Sequence, residues 1–274
     1  MPLVRVNDVN LYYEITGRAE ERIVLVHGSW VDHTNWDLVV PALSESFRVL
    51  TYDRRGHSQS EPSTGEGTLD QDIADLGALI EQLDFAPALV VGNSFGSIVA
   101  LGLAMRRPEL VRSLSVREPP IMGLVAGDPT YQPVLEEVNR RVGAVLELIQ
   151  KGDAARAAER FVETVAVGPG GWAQVPPEQQ QTFIENASTF LDESRDPAWL
   201  GIDLEALSRF TEPVLLTQGD QSPPIFPAIV SKVESALPHA KVHRFLGASH
   251  LPHLSHPQEF VKTVSAFAHQ PATR

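Results

Sequence analysis

Cysteine is absent from all 274 residues. That excludes a disulfide framework, a thiolate nucleophile and any Cys-x-x-Cys metal site. Basic charge is scarce too: 22 Lys and Arg face 35 Asp and Glu, a formal net charge of −13. Nucleic acid and anionic membranes both reward a basic surface, so neither is an expected partner. No apolar run approaches the ~20 residues needed to span a bilayer. Residues 1–16 lack a charged segment followed by an apolar one, so no leader is expected either. Internal repeats and low-complexity tracts are missing. These absences leave a soluble, cytoplasmic protein with a small-molecule partner as the expectation. The apolar fraction of 43% is enough for one large α/β domain, or for a domain with an insertion.

What is present is a rhythm. Short apolar runs at residues 3–6, 10–16, 23–26, 47–51, 88–91, 111–116, 213–217 and 241–245 read as strands. Between them lie helical patterns, among them Leu69, Ile73, Leu76, Ile80 and Leu83, and stretches over 36–43, 225–237 and 257–268. Strand alternating with helix argues for a mostly parallel sheet with helices on both faces, the α/β class. From 121 to 207 the rhythm stops, and only helical patterns remain, over 131–150, 154–165 and 178–191. The expected organisation is a sheet domain from 1–120 and 208–274, with a helical cap inserted at 121–207.

One stretch carries chemistry on its face. Gly92-Asn93-Ser94-Phe95-Gly96 matches G-x-S-x-G, with an apolar strand before it and a small-residue helix after it. A serine on a sharp strand-to-helix turn leaves no room for side chains two positions either side. The turn lifts the hydroxyl clear of the sheet and sets it at the positive end of the new helix.

With His27-Gly28 after one strand, Tyr52-Asp53-Arg54-Arg55-Gly56-His57-Ser58 after the next, the Gly92–Gly96 turn, and Gly247-Ala248-Ser249-His250 followed by His256-Pro257-Gln258-Glu259-Phe260, the chain resembles the α/β-hydrolase superfamily over nearly its whole length. The resemblance implies an eight-stranded, mostly parallel sheet with the active-site groups at strand C-terminal ends and a lid above them. It implies Ser94 as nucleophile, with His250, one of nine histidines, as its base. The implied oxyanion donors are the backbone N–H groups of Ser29 and Phe95. His27 and His57 belong to turn motifs and read as structural. His253 and His256 lie three apart, but Pro252 and Pro257 break any helix that would align them. Both read as solvated loop histidines, and no metal or other cofactor is expected.

The triad acid departs from the commonest pattern. Relatives usually carry it after the seventh strand in a G-x-x-D string; here Gly219-Asp220-Gln221-Ser222 puts Ser222 at that position. Haloalkane dehalogenases and zearalenone-type lactonases instead place a carboxylate after the sixth strand, where this chain has Glu118, stiffened by Pro119-Pro120. Glu118 is preferred, with Asp220 the alternative. The implied activity is hydrolysis of an ester or lactone of a small hydrophobic molecule through an acyl-enzyme. Carbon–carbon bond hydrolysis on the same triad, or a non-enzymatic receptor of the same fold, are the alternatives. Trp30, Met122, Trp172, Phe183, Phe190 and Trp199 are the candidate pocket lining, each also explicable as ordinary core.

Overall fold

Side-chain alternation along the central strands divides the core in two, because successive residues of a strand face opposite sides. In the computed structural model, which describes residues 2–62 and 65–269, Ile23, Leu25, Leu89 and Val91 enter one layer with Trp36, Leu43, Phe260 and Val264. Their neighbours Val24, Val26 and Val90 enter the other, with Leu76, Ile80, Val99, Ile229 and Val233. The strands are β1 (Leu3–Val6), β2 (Val9–Thr16), β3 (Arg22–Val26), β4 (Arg48–Tyr52), β5 (Ala88–Asn93), β6 (Val111–Arg117), β7 (Val214–Gly219) and β8 (Lys241–Phe245). They form one eight-stranded sheet in the order β1-β2-β4-β3-β5-β6-β7-β8. The β1–β2 and β2–β4 pairs are antiparallel and the others parallel. The mostly parallel α/β sheet expected from the rhythm is present.

Helices α1 (Val40–Leu43), α2 (Leu69–Gln82) and α3 (Phe95–Arg106) lie among the first six strands. Between β6 and β7 come α4 (Gln132–Gln150), α5 (Ala154–Phe161), α6 (Pro177–Glu185), α7 (Ala187–Arg195) and α8 (Leu204–Leu207). After β7 follow α9 (Ile225–Ala236), α10 (Pro252–Ser255) and α11 (Pro257–Ala268). Three expected helices differ from those observed, each for a local reason. The 36–43 pattern resolves into a 3₁₀ turn, His33–Trp36, capped by the Asp32 side chain, and the short α1. Pro41 fits only a first helical turn, so α1 starts just before it. The 154–165 pattern ends as a π turn, Val162–Ala166. The 178–191 pattern breaks at Asn186 into α6 and α7.

That break is also a point of attachment. Asn186 is buried, and its Nδ2 donates to the carbonyls of Trp30 and Val31, both at 3.3 Å. Its Oδ1 accepts from the Ser58 N–H at 2.8 Å. Trp30 itself, in the loop after β3, is wholly buried in a third apolar cluster with Val145, Ala157, Ala158 and Ala187 from α4, α5 and α7. Its indole lies 4.7 Å from the Phe161 ring and 5.1 Å from that of Phe190, centroid to centroid. A φ of 70° places Trp30 in the left-handed region, which a bulky residue occupies only when its surroundings hold it there. Replacing Asn186 by Ala removes this bridge and leaves buried backbone groups unpaired. A stability loss of about 1–3 kcal/mol is expected in urea denaturation, with faster proteolysis within residues 121–207. An unchanged midpoint and unchanged cleavage would show that the bridge carries no load.

Candidate active site

The turn at Ser94 has the strain its sequence implies. Ser94 adopts φ 54° and ψ −124°, a conformation that costs about 1–3 kcal/mol for a residue with a side chain. The flanking glycines make it possible. A Cβ on Gly92 would run into the backbone of Gly96 and Ser97, and one on Gly96 would collide with the carbonyls of Val26 and His27. The Ser94 N–H donates to the Arg117 carbonyl at 3.0 Å. One turn into α3, the Ser97 hydroxyl accepts from the Arg117 N–H at 2.9 Å and donates to the Gly92 carbonyl at 2.8 Å. The turn is thereby tied to β5, which it ends, and to the neighbouring β6. The Ser94 hydroxyl is half-buried, caps no N–H of α3 and has no hydrogen-bond partner among the described residues.

β5 and β6 run parallel with Asn93 opposite Arg117, so Ser94 and Glu118 leave the sheet side by side. Glu118 also has positive φ, at 40°, and is wholly buried. Its Oε2 lies 2.6 Å from His250 Nδ1, and its Oε1 accepts from the Gly219 N–H at 2.7 Å. Burial opposes its ionisation, but the hydrogen bond from His250 and the charge of Arg117 outweigh it, and the carboxyl titrates below the ordinary range. Ser222 adds to that lowering, although its buried hydroxyl meets no partner in good hydrogen-bond geometry. Asp220 is turned elsewhere: it is exposed, and its Oδ1 accepts from the Gly247 N–H at 2.7 Å, bracing the loop that carries His250. The His250 ring stacks on Phe226 of α9, centroids 4.7 Å apart. No hydrogen bond joins His250 to Ser94 among the described residues; such contacts commonly close only when substrate is bound.

The N–H groups of Ser29 and Phe95 both lack a hydrogen-bond partner among the described residues. Phe95 is the first residue of α3, where N–H groups are free by construction. Gly28 lets the Ser29 loop approach the turn; a Cβ there would stand 3.1 Å from Ser94 Cβ.

Behind the turn lies a buried polar network. Arg54 pairs with Asp72 of α2 at 2.7 Å and with Glu193 of α7 at 2.5 Å, and its guanidinium covers the Phe95 ring at 4.7 Å. Burial pushes the Asp72 carboxyl up to about 6, with Glu193 adding to the rise against the pull of Arg54. His27 Nε2 accepts from the Arg54 N–H at 2.9 Å, and His57 Nε2 lies 3.1 Å from the Thr189 hydroxyl. Burial holds both rings neutral, far below the usual histidine range.

Asp32, His33 and Asp53 bring their ligand atoms within 4.8 Å of one another. Their oxygens are already committed as acceptors. Asp53 takes the His33 N–H at 2.8 Å and the Gln59 N–H at 3.0 Å; Asp32 takes the Thr34 N–H at 2.9 Å and the Ser58 hydroxyl at 2.8 Å. The group therefore reads as a loop brace rather than a ready metal cage.

One reading from sequence is corrected. His253 is not a solvated loop histidine: it is wholly buried, its ring 4.6 Å from that of Trp36, with Nε2 2.8 Å from the Asn35 amide. Pro252 opens a helix here instead of breaking one, and α10 carries His253 inward. His256 is half-buried, with Nδ1 2.8 Å from the Ser255 hydroxyl. Of the candidate lining residues, Trp30, Trp172, Phe183 and Phe190 gather in one aromatic cluster, while Met122 and Trp199 pack against the main core. Arg117, Ser97, Asn186 and Phe226 were missed from sequence. For Arg117 a signal existed, since a charge in the buried run Leu114-Ser115-Val116 needs a partner. The other three are common residue types whose spacing carries no message.

The Alpha/beta hydrolase family model matches residues 23–263. A pimeloyl-[acyl-carrier protein] methyl ester esterase of Yersinia pseudotuberculosis is 27% identical over 269 residues, covering 95% of this chain and 98% of the relative. An sn-1-specific diacylglycerol lipase of Mus musculus is 26% identical over 260 residues, 89% of this chain and 80% of the relative. Among solved structures, an alpha/beta hydrolase from Sphaerobacter thermophilus superposes with a TM-score of 0.79 at 23% identity, over 97% of this chain and 99% of that one. A parallel sheet with a strained serine turn at its centre, matched by that family over most of its length, makes the chain a member of the α/β-hydrolase family.

Proposed function

We propose that the protein is a serine carboxylic-ester hydrolase, with Ser94 as nucleophile, His250 as general base and Glu118 as the carboxylate that orients and balances the imidazole. The observation that carries this is the 2.6 Å contact between Glu118 and His250 Nδ1, made by a residue leaving the sheet beside Ser94. With Nδ1 engaged by Glu118, Nε2 is the nitrogen free to take the Ser94 proton. The Ser94 oxygen then attacks the ester carbonyl. The negative charge that develops on the carbonyl oxygen is met by the N–H groups of Ser29 and Phe95, each worth about 10²–10³ in rate. His250 returns the proton to the departing alcohol, leaving an acyl group on Ser94. Water, deprotonated by the same nitrogen, releases the acid and restores the hydroxyl.

The names of the relatives support an ester substrate: one is named for a methyl ester and one for a diacylglycerol. Helices α4–α8 serve in this reading as a lid over the strand ends, and the half-buried rings Trp172, Phe183 and Phe190 that this segment carries favour a neutral, apolar acyl or alcohol portion. A lactone, being an internal ester, fits the same steps.

Ser94→Ala should abolish hydrolysis of an activated aryl ester while leaving the thermal midpoint in place; retained turnover would discard the mechanism. Glu118→Gln should lower kcat by up to ~10⁴, whereas Asp220→Asn, which only loosens the brace on Gly247, should cost under about tenfold. The reverse ranking would return the acid to the loop after β7.

A further inference from the structure

Arg117 is the one charged side chain that β6 buries at its C-terminal end, 2% exposed. Its Nε donates to the His250 carbonyl at 2.9 Å, and its Nη2 donates to the Ser249 carbonyl. Nη2 also stands 3.6 Å from Glu118 Oε1, and the guanidinium lies 5.6 Å from the Phe245 ring centroid. A rigid plane with donors aimed at two successive carbonyls fixes the position and the tilt of that peptide together. The backbone of the same residue accepts from the Ser94 N–H and donates to Ser97. Arg117 therefore touches the segments that carry Ser94, Glu118 and His250.

We propose that Arg117 is a positioning residue for the hydrolytic reaction, clamping the Ser249–His250 backbone so that the imidazole stays between Glu118 and Ser94. The inference rests on the reading of those three residues as the triad. Other tethers of the loop act upstream of His250: the Gln221 N–H donates to the Ala248 carbonyl at 3.0 Å, and Asp220 holds the Gly247 N–H. Among the described residues, no other side chain bonds the 249 or 250 carbonyl. Burial brings the guanidinium down to about 10, so it remains a cation at neutral pH and also favours the ionised form of Glu118.

The test uses Arg117→Lys and Arg117→Met beside the Ser94→Ala control, with an activated aryl ester as probe. In Arg117→Met, kcat should fall about 10–100-fold, the effect of misplacing a reacting group by roughly an ångström. KM should stay within about twofold, since no ester-binding group is removed. Arg117→Lys keeps the charge but cannot span two carbonyls, so its kcat should lie between the two. The low-field proton resonance of the His250–Glu118 hydrogen bond should persist in the wild type and broaden in Arg117→Met. Wild-type kcat in both variants, or a raised KM with kcat intact, would overturn the proposal. If Arg117→Met fails to fold, Arg117→Lys decides alone, and an unchanged kcat in it would be the contrary result. Inactive Ser94→Ala with fully active Arg117 variants would sink this inference only, whereas active Ser94→Ala would sink the triad reading itself.

Discussion

The parallel pairing of β5 with β6 is the constraint on which the site depends. Because Asn93 lies opposite Arg117, the next residue of each strand, Ser94 and Glu118, emerges from the sheet at the same level. Both have positive φ, Ser94 between glycines that leave room for its turn and Glu118 at the exit of β6. Strain of that kind persists only where surrounding structure over-determines it. Here the over-determination is visible in the Ser94 N–H on the Arg117 carbonyl and in the Ser97 hydroxyl between Gly92 and Arg117. The sheet thus sets the spacing of two groups, and the third, His250, is brought to them by a loop.

A second set of contacts joins the helices between β6 and β7 to the same place. Trp30 follows Ser29 directly, and its indole is buried among α4, α5 and α7. Asn186 holds the carbonyls of Trp30 and Val31, and Glu193 reaches Arg54 beneath Phe95. Each of the two N–H groups proposed for the oxyanion therefore lies near a residue that α7 contacts.

The sheet was legible in the sequence because short apolar runs mark its strands, and the six strands in parallel pairs, β3–β8, recur with helical patterns between them. Ser94 was legible because the sterics of its turn demand glycines at fixed spacing. Glu118 was preferred as the acid because Ser222 stands where the usual aspartate would and because some relatives carry a carboxylate after the sixth strand; its approach to His250 is what the structure adds. What stayed hidden depends on contacts far apart in the chain. Arg117 meets Ser249 and His250 across 132 and 133 residues, and Asn186 meets Trp30 across 156. No local pattern encodes such distances. His253 was misread because a proline before it looked like a breaker when it opens a helix, and the burial of the ring against Trp36 and Phe260 is a tertiary fact.

The measurement closest to the central claim is covalent trapping. The protein is treated with a fluorophosphonate, and the adduct is mapped by peptide mass spectrometry. One adduct per chain, on Ser94, is the expected result. No adduct, or one on another residue while ester hydrolysis continues, would contradict the account.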